Sequence, residues 1–204
     1  MRSREVAKEH VTKKNQDNRT SPSSATVQVM DGEGITRALR RIAHEIIERN
    51  PELASVVLAG IPSRGVEIAR RISGIIESLE KTSIETGSID VSMHRDDVGI
   101  RAELPRVQAS KLPLPLEDKT VIIVDDVFFT GRTARAAMDA LSSFGRPARI
   151  QLAALIDRGH RELPIRVDYV GKNVPTATGE RIRLRLEKVD GEPDAVWLVK
   201  EEKA

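Results

Sequence analysis

The aliphatic run Val121-Ile-Ile-Val124 ends directly on two acids, Asp125 and Asp126. Val127-Phe-Phe129 then leads into Thr130-Gly-Arg-Thr133, which opens onto the helical pattern Ala134-Arg-Ala-Ala-Met-Asp-Ala-Leu141. Four consecutive aliphatics leave no solvent face, so the strand they predict is covered on both sides. A strand that feeds a helix through a short turn belongs to a mainly parallel α/β sheet, whose ligands gather at the carboxyl ends of the strands. The two acids stand at that end. Just beyond them, the helix start collects backbone N–H groups and a partial positive charge, which suits a phosphate. Carboxylates accept hydrogen bonds from vicinal hydroxyls or help to hold a metal ion. A ribose phosphate satisfies both halves at once. The turn is not a Walker A loop, because the chain has no Gly-x-x-x-x-Gly-Lys-[Ser/Thr].

The remaining pattern extends this strand–helix alternation. Asp31 is placed to cap a helix running to about Arg49, which Asn50-Pro51 stops. Ile35, Leu39, Ile42 and Ile46 share one face of it, with Arg37, Arg41, His44 and Glu48 opposite and Arg40 at the edge. Ser55–Ile61 reads as a parallel-type strand, followed by the loop Pro62-Ser-Arg-Gly65 and a helix from Val66 to about Leu79. Ser88–Met93 alternates like a half-buried strand. Residues 95–119 contain Pro105, Pro113 and Pro115 without a steady period, as lid loops do. Strand 120–124, helix 133–144 and strand 149–156 follow. Val167–Val170, Arg181–Leu186 and Ala195–Val199 read as short β segments between Gly- and Pro-containing turns.

Composition bounds the class. With 204 residues, 39% of them hydrophobic and 31% charged, one domain suffices. The expected division is a flexible tail over 1–25 and a single domain over 26–204. No apolar stretch approaches the roughly 18–20 residues of a membrane span, and the N-terminus has no hydrophobic signal core. The expected location is therefore cytoplasmic. The absence of Cys excludes disulfides, thiolate zinc sites and thiol nucleophiles. Net charge is +2. Residues 1–25 hold six Lys/Arg and three acids, which leaves 27 basic and 28 acidic residues in the rest. A nucleic-acid face on the folded part therefore requires clustering of cations rather than an overall excess.

The segment 121–133 resembles the phosphoribosyl-pyrophosphate (PRPP) signature of type I phosphoribosyltransferases. The resemblance narrows downstream. Phe144-Gly-Arg-Pro, Leu155-Ile-Asp-Arg-Gly-His-Arg-Glu-Leu-Pro-Ile-Arg166 and Asp168-Tyr-Val-Gly-Lys-Asn-Val-Pro-Thr176 look like the PyrR family. Upstream, Ile42-Ala-His-Glu-Ile-Ile-Glu-Arg-Asn50, Leu58-Ala-Gly-Ile-Pro-Ser-Arg-Gly65 and His94-Arg-Asp-Asp97 fit it in the same order. The likeness covers about residues 28–200. These are bacterial regulators of pyrimidine biosynthesis genes that often also act as uracil phosphoribosyltransferases.

The resemblance implies the type I phosphoribosyltransferase fold, with a small hood of short β segments. It also implies transfer from PRPP to uracil, giving UMP and pyrophosphate. Asp125 and Asp126 would meet the ribose hydroxyls, and Thr130, Gly131, Arg132 and Thr133 the 5′-phosphate. Ser63, Arg64 and Gly65 match the pyrophosphate loop, Arg95 opens the lid, and Asp157 and Arg158 lie in the segment around the pyrimidine. Mg²⁺ is expected through the PRPP diphosphate, with no metal site of the protein's own. Arg37, Arg41, His44 and Arg166 are the implied contacts to a pyrimidine-operon leader mRNA, with UMP strengthening the binding. A homodimer or higher homo-oligomer is implied as well. Three positions depart from the pattern: His94 where Tyr is usual, Phe128-Phe129 for a Leu-aromatic pair, and Pro62 for a Lys found in some relatives. Two alternatives remain open, a uracil salvage enzyme without RNA-binding regulation and a type I enzyme acting on hypoxanthine or orotate.

Overall fold

The computed structural model describes residues 26–94 and 109–200. The expected tail, Arg95 and the stretch 96–108 of the expected lid lie outside the described residues. In chain order the elements are β1 (Thr26–Asp31), α1 (Gly32–Arg49), β2 (Val56–Gly60), α2 (Arg64–Glu80), β3 (Glu85–Ser88), β4 (Thr120–Phe128), α3 (Arg132–Leu141), β5 (Arg149–Asp157), β6 (Tyr169–Asn173), β7 (Glu180–Arg185), α4 (Glu187–Asp190) and β8 (Ala195–Lys200).

Five strands form a wholly parallel sheet in the order β3-β2-β4-β5-β6. The aliphatic run of β4 lies at its centre, and alternate residues serve opposite faces. Ile122 and Val124 join the core formed with Ile42 and Ile46 of α1 and Ile68 and Ile72 of α2. Val121 and Ile123 join the core on the other side, with Ala136, Ala137 and Leu141 of α3. This is the expected parallel sheet with helices on both faces. The apolar stripe Ile35, Leu39, Ile42 and Ile46 is fully buried, and the Asp31 carboxylate accepts from Gly34 N at 2.7 Å as the N-cap. At the other end of α1, the buried Asn50 side chain donates to Ile46 O and to the Tyr169 hydroxyl, both at 3.0 Å.

Three boundaries near the site differ from expectation. β4 runs on to Phe128, so both acids are strand residues, with Asp125 paired to Ala154 and Phe128 to Asp157. α2 begins at Arg64, which puts Arg64 and Gly65 in the helix's first turn rather than in a loop. Ser88–Met93 is not a strand past Ser88, although Ile89 and Val91 are buried as the alternation predicts. Ile89 N still donates to Gly60 O of β2 at 3.0 Å, but side chains take donors beyond it: Asp90 N donates to Ser110 Oγ and Ser92 N to the Asp90 carboxylate, each at 2.8 Å. The described part of the expected lid is anchored. Lys111 exchanges two 2.8 Å backbone hydrogen bonds with Ser88, and Leu116 is fully buried.

The second sheet is small and antiparallel, in the order β1-β8-β7. Leu184, Leu186 and Val196 seat it on the core shared with α1 and α2. It is the expected hood, with two changes of membership. The segment near Val167–Val170 forms β6 and joins the main sheet, while β1, a Thr-Val-Gln-Val alternation outside the expected strands, pairs with β8.

Candidate active site

The carboxyl end of β4 delivers both acids to a cavity of about 380 Å³, lined by Ile61–Gly65, Val91, Ser92, Asp125–Val127 and Thr133. The acids are braced locally, because Asp126 N donates to the Asp125 carboxylate at 2.9 Å and Val127 N to the Asp126 carboxylate at 2.8 Å. Opposite them, α2 starts almost against the strand. A Cβ on Gly65 would sit 2.3 Å from Val124 O, so only glycine permits this approach. Ile61 N donates to the same carbonyl at 2.9 Å. Two helix N-termini, those of α2 and α3, therefore open near one pair of carboxylates.

The turn before α3 is set by Gly131, whose φ of +91° is left-handed. It is held from behind: Glu162 N and Leu163 N both donate to Thr130 O, at 3.0 and 3.2 Å. The Arg132 side chain pairs with Glu162 at 2.8 Å. Thr133 shares the cavity with the acids, so the predicted phosphate turn and the predicted diol acids meet in one place.

Arg64 reaches the same cavity but is already engaged. Its Nε and Nη2 donate to the two Asp190 oxygens at 3.0 and 2.7 Å, and Nη1 lies 3.6 Å from Asp126 Oδ2. The hydrogen-bonded Arg64 guanidinium holds the Asp190 carboxyl down at about 2, and Asp190 in turn raises the Arg64 pKa. A depressed carboxyl stabilises the fold above its ordinary value near 4 and loses that contribution as pH falls towards its folded value. Asp190→Asn is therefore expected to cost roughly 2 kcal/mol at neutral pH, with the difference from wild type closing between about pH 4 and 2. Urea midpoints of both proteins across that range check it; a difference that persists at the acid end counts against the pair.

Asp157 and Arg158 sit beside this cavity rather than in its lining, at the end of the neighbouring strand β5. Asp157 is buried, accepting from Gly159 N at 3.0 Å and from Arg161. The Arg158 guanidinium lies 3.9 Å over the Phe129 ring and donates to Thr176 Oγ1 and Glu180 O, at 3.1 and 2.7 Å. Among the described residues, no group of three or more His, Asp or Glu stands close enough to hold a metal ion. Two adjacent carboxylates fit the manner in which Mg²⁺ is usually held, by one or two acids together with substrate phosphates and water.

The comparisons with known proteins agree on this architecture. Residues 25–182 match the phosphoribosyl transferase domain family. Among solved structures, a hypoxanthine-guanine phosphoribosyltransferase from Bacillus anthracis superposes with a TM-score of 0.65 at 17% identity, covering 85% of this chain and 97% of that one. The corresponding Leishmania tarentolae enzyme, in complex with GMP, gives 0.67 at 16%, covering 89% and 100%. Those likenesses establish the type I phosphoribosyltransferase fold. Sequence similarity goes further. The bifunctional protein PyrR of Roseiflexus sp. (strain RS-1) is 54% identical over 173 residues, covering 85% of this chain and 94% of its own. That of Clostridioides difficile (strain 630) is 54% identical over 171 residues, covering 84% and 96%. The chain belongs to the PyrR family.

The PyrR-family chain carries a second concave feature, away from the acids. A groove of about 640 Å³ runs between α1, β1 and β6, lined by Asp31, Gly34, Arg37, Arg41, Gly171 and Lys172 among others. Arg37 is exposed, with Glu33 at 3.3 Å. Arg41 donates to the β6 carbonyls of Val170, at 2.9 Å, and Gly171, and Lys172 Nζ donates to Val29 O at 2.8 Å. His44 is exposed further along α1, and Arg166 is exposed on the connection before β6. Arg37 and Arg41 thus share the groove, whereas His44 and Arg166 are not in its lining. Sequence reasoning overlooked Asp190, because no local pattern marks an acid that meets Arg64 across 126 positions. Lys172 lies in a sequence motif, and only the fold makes it a wall of this groove.

Proposed function

We infer that this chain transfers the phosphoribosyl group of PRPP to N1 of uracil, and that it senses the UMP so formed in regulating pyrimidine biosynthesis genes through RNA. The observation that carries the reading is the single cavity shared by Asp125, Asp126, Thr133 and the start of α2. In the reaction, the bond from ribose C1 to the diphosphate breaks, the bond from C1 to uracil N1 forms, and the N1 proton is lost. Asp125 and Asp126 accept hydrogen bonds from the ribose diol and stabilise the cation-like sugar. The Thr130–Thr133 turn holds the 5′-phosphate at the N-terminus of α3. Ser63, Arg64 and Gly65 take the diphosphate at the N-terminus of α2. Bound through that diphosphate, Mg²⁺ would offset the charge of the departing group. Arg95 and the lid near 95–119 exclude water, which suppresses hydrolysis of PRPP. Asp157 and Arg158 shape the pyrimidine side. The catalytic unit is the single domain that starts near residue 26, working as a homodimer or higher homo-oligomer.

The regulatory half rests on Arg37 and Arg41 of the basic groove, with His44 and Arg166, exposed outside its lining, as further RNA contacts. RNA loops are bound through phosphate neutralisation and contacts to splayed bases. One observation favours the alternative of salvage without RNA binding: the Arg41 guanidinium is engaged by β6 carbonyls. Two assays decide. A nucleobase panel with PRPP and Mg²⁺ is expected to give UMP from uracil and little product from hypoxanthine or orotate. Filter binding of a pyrimidine-operon leader RNA is expected to tighten when UMP is added, and by reciprocity RNA tightens UMP binding. Arg37→Ala is expected to weaken RNA binding and to lower the salt slope by about one. RNA affinity indifferent to UMP would leave a salvage enzyme, and RNA binding without transfer would leave a regulator alone.

A further inference from the structure

Among the described residues, Arg64 is the one cation in the lining of the cavity, and an arginine side chain on a helix start has many rotamers available to it. Here its orientation is set by a residue from another layer. Asp190, at the end of α4 in the hood, grips Nε and Nη2 in a two-pronged pair, which fixes the plane of the guanidinium as well as its position. Asp190 is itself fixed, since its carboxylate also accepts from Arg185 Nη1 at 3.1 Å and from Leu186 N at 2.8 Å, and its side chain is only 9% exposed. The pair leaves Nη1 turned towards Asp126, at 3.6 Å, on the cavity side. We propose that Asp190 is a positioning residue for the transfer: by holding Nε and Nη2 it aims the Arg64 guanidinium at the diphosphate end of the cavity. The assignment rests on the reading of this cavity as the PRPP site.

A second tie from the same helix separates positioning from simple attachment of the hood. Seven residues along α2, Arg71 pairs with Asp194 and, at 2.8 Å, with Glu67. Like Arg64–Asp190, this joins α2 to the hood with a two-pronged arginine. Unlike it, neither Arg71 nor Asp194 lines the cavity. If Asp190 only fastened the hood, its loss and the loss of Asp194 would have the same consequence. If it aims Arg64, only its own loss reaches the diphosphate.

The test compares the full-length wild type with Asp190→Asn, Asp190→Glu and Asp194→Asn. Asp190→Asn is expected to raise KM for PRPP about tenfold while KM for uracil stays within about twofold. Asp194→Asn is expected to leave both KM values within about twofold. Asp190→Glu keeps the charge on a longer arm and is expected to fall between wild type and Asp190→Asn. Equal effects of Asp190→Asn and Asp194→Asn, or an unchanged KM for PRPP in Asp190→Asn, overturn the proposal. Should Asp190→Asn fail to fold, Asp190→Glu carries the test, and a KM for PRPP equal to wild type overturns it. Titration with magnesium pyrophosphate distinguishes this failure from failure of the transferase reading. If the wild type makes no UMP yet binds pyrophosphate more tightly than Asp190→Asn does, the positioning stands without the reaction. If the two proteins bind it alike, or neither binds it, the positioning falls.

Discussion

Replacing Asp125 and Asp126 together by asparagine is expected to lower kcat/KM for UMP formation by about a thousandfold. Each carboxylate that accepts from a ribose hydroxyl makes a charge-assisted hydrogen bond worth about 1.5–3 kcal/mol, and two of them lost at the transition state amount to roughly a hundred- to ten-thousandfold in rate. The fold is expected to survive, because asparagine keeps an oxygen for the short-range bonds that Asp126 N and Val127 N make at 2.9 and 2.8 Å. Thermal unfolding of the double variant should accordingly lie close to wild type. Steady-state kinetics at saturating uracil and varied PRPP check the claim. Activity untouched by the double change would remove these acids from the mechanism and leave the cavity without its sugar clamp.

The largest effect on stability is expected from Gly65→Ala. Its new Cβ would lie 2.3 Å from Val124 O and 3.3 Å from Val124 C, and both are backbone atoms of the central strand. They cannot turn aside as a flexible side chain would, so the first turn of α2 must lift off β4. Overpacking of that kind costs about 3 kcal/mol, or a fall in Tm of about 10 °C for a chain of this size. The lifted turn carries Arg64 away from the acids, so PRPP binding should fail along with stability. Gly74, in the exposed middle of the same helix, supplies the opposite case, since nothing lies within 4 Å of its virtual Cβ. Gly74→Ala is expected to stabilise by about 0.5–1 kcal/mol. A Gly65→Ala protein that melts with wild type would show that α2 does not need this close approach.

Much of this protein was legible in the chain because its strongest signals are local. The unbroken aliphatics of 121–124 require burial on both faces, and the helices on either side of β4 follow from that. Asp31, the stripe from Ile35 to Ile46 and the turn through Gly131 are likewise short-range patterns, set by helix geometry and by the φ each residue tolerates. The type I fold and PyrR membership rest on the same contiguous motifs. Ser88–Met93 shows where such reading stops. Its alternation reports burial correctly, but strand formation needs a neighbour along its whole length, and beyond Ile89 the side chains of Ser110 and Asp90 take the Asp90 and Ser92 donors. β1 shows the converse. Its pairing with β8 joins the first and the last of the described strands, and no property of residues 26–31 alone specifies that partner.

At the site, the chemistry on offer is written locally in the chain: two carboxylates ending a buried strand, a hydroxyl-rich turn ahead of a helix, and a second glycine-containing helix start. Tertiary structure alone decided how these are held. It brought Thr133 and Gly65 into one cavity with the acids, set Asp157 and Arg158 beside that cavity, and gave Arg64 to a carboxylate from the hood. The reason is physical. A strand, a cap or a turn is governed by forces that reach a few residues along the chain, whereas the aim of a guanidinium depends on whichever charge packing brings within about 3 Å of it, and here that charge lies at the end of α4 in the hood.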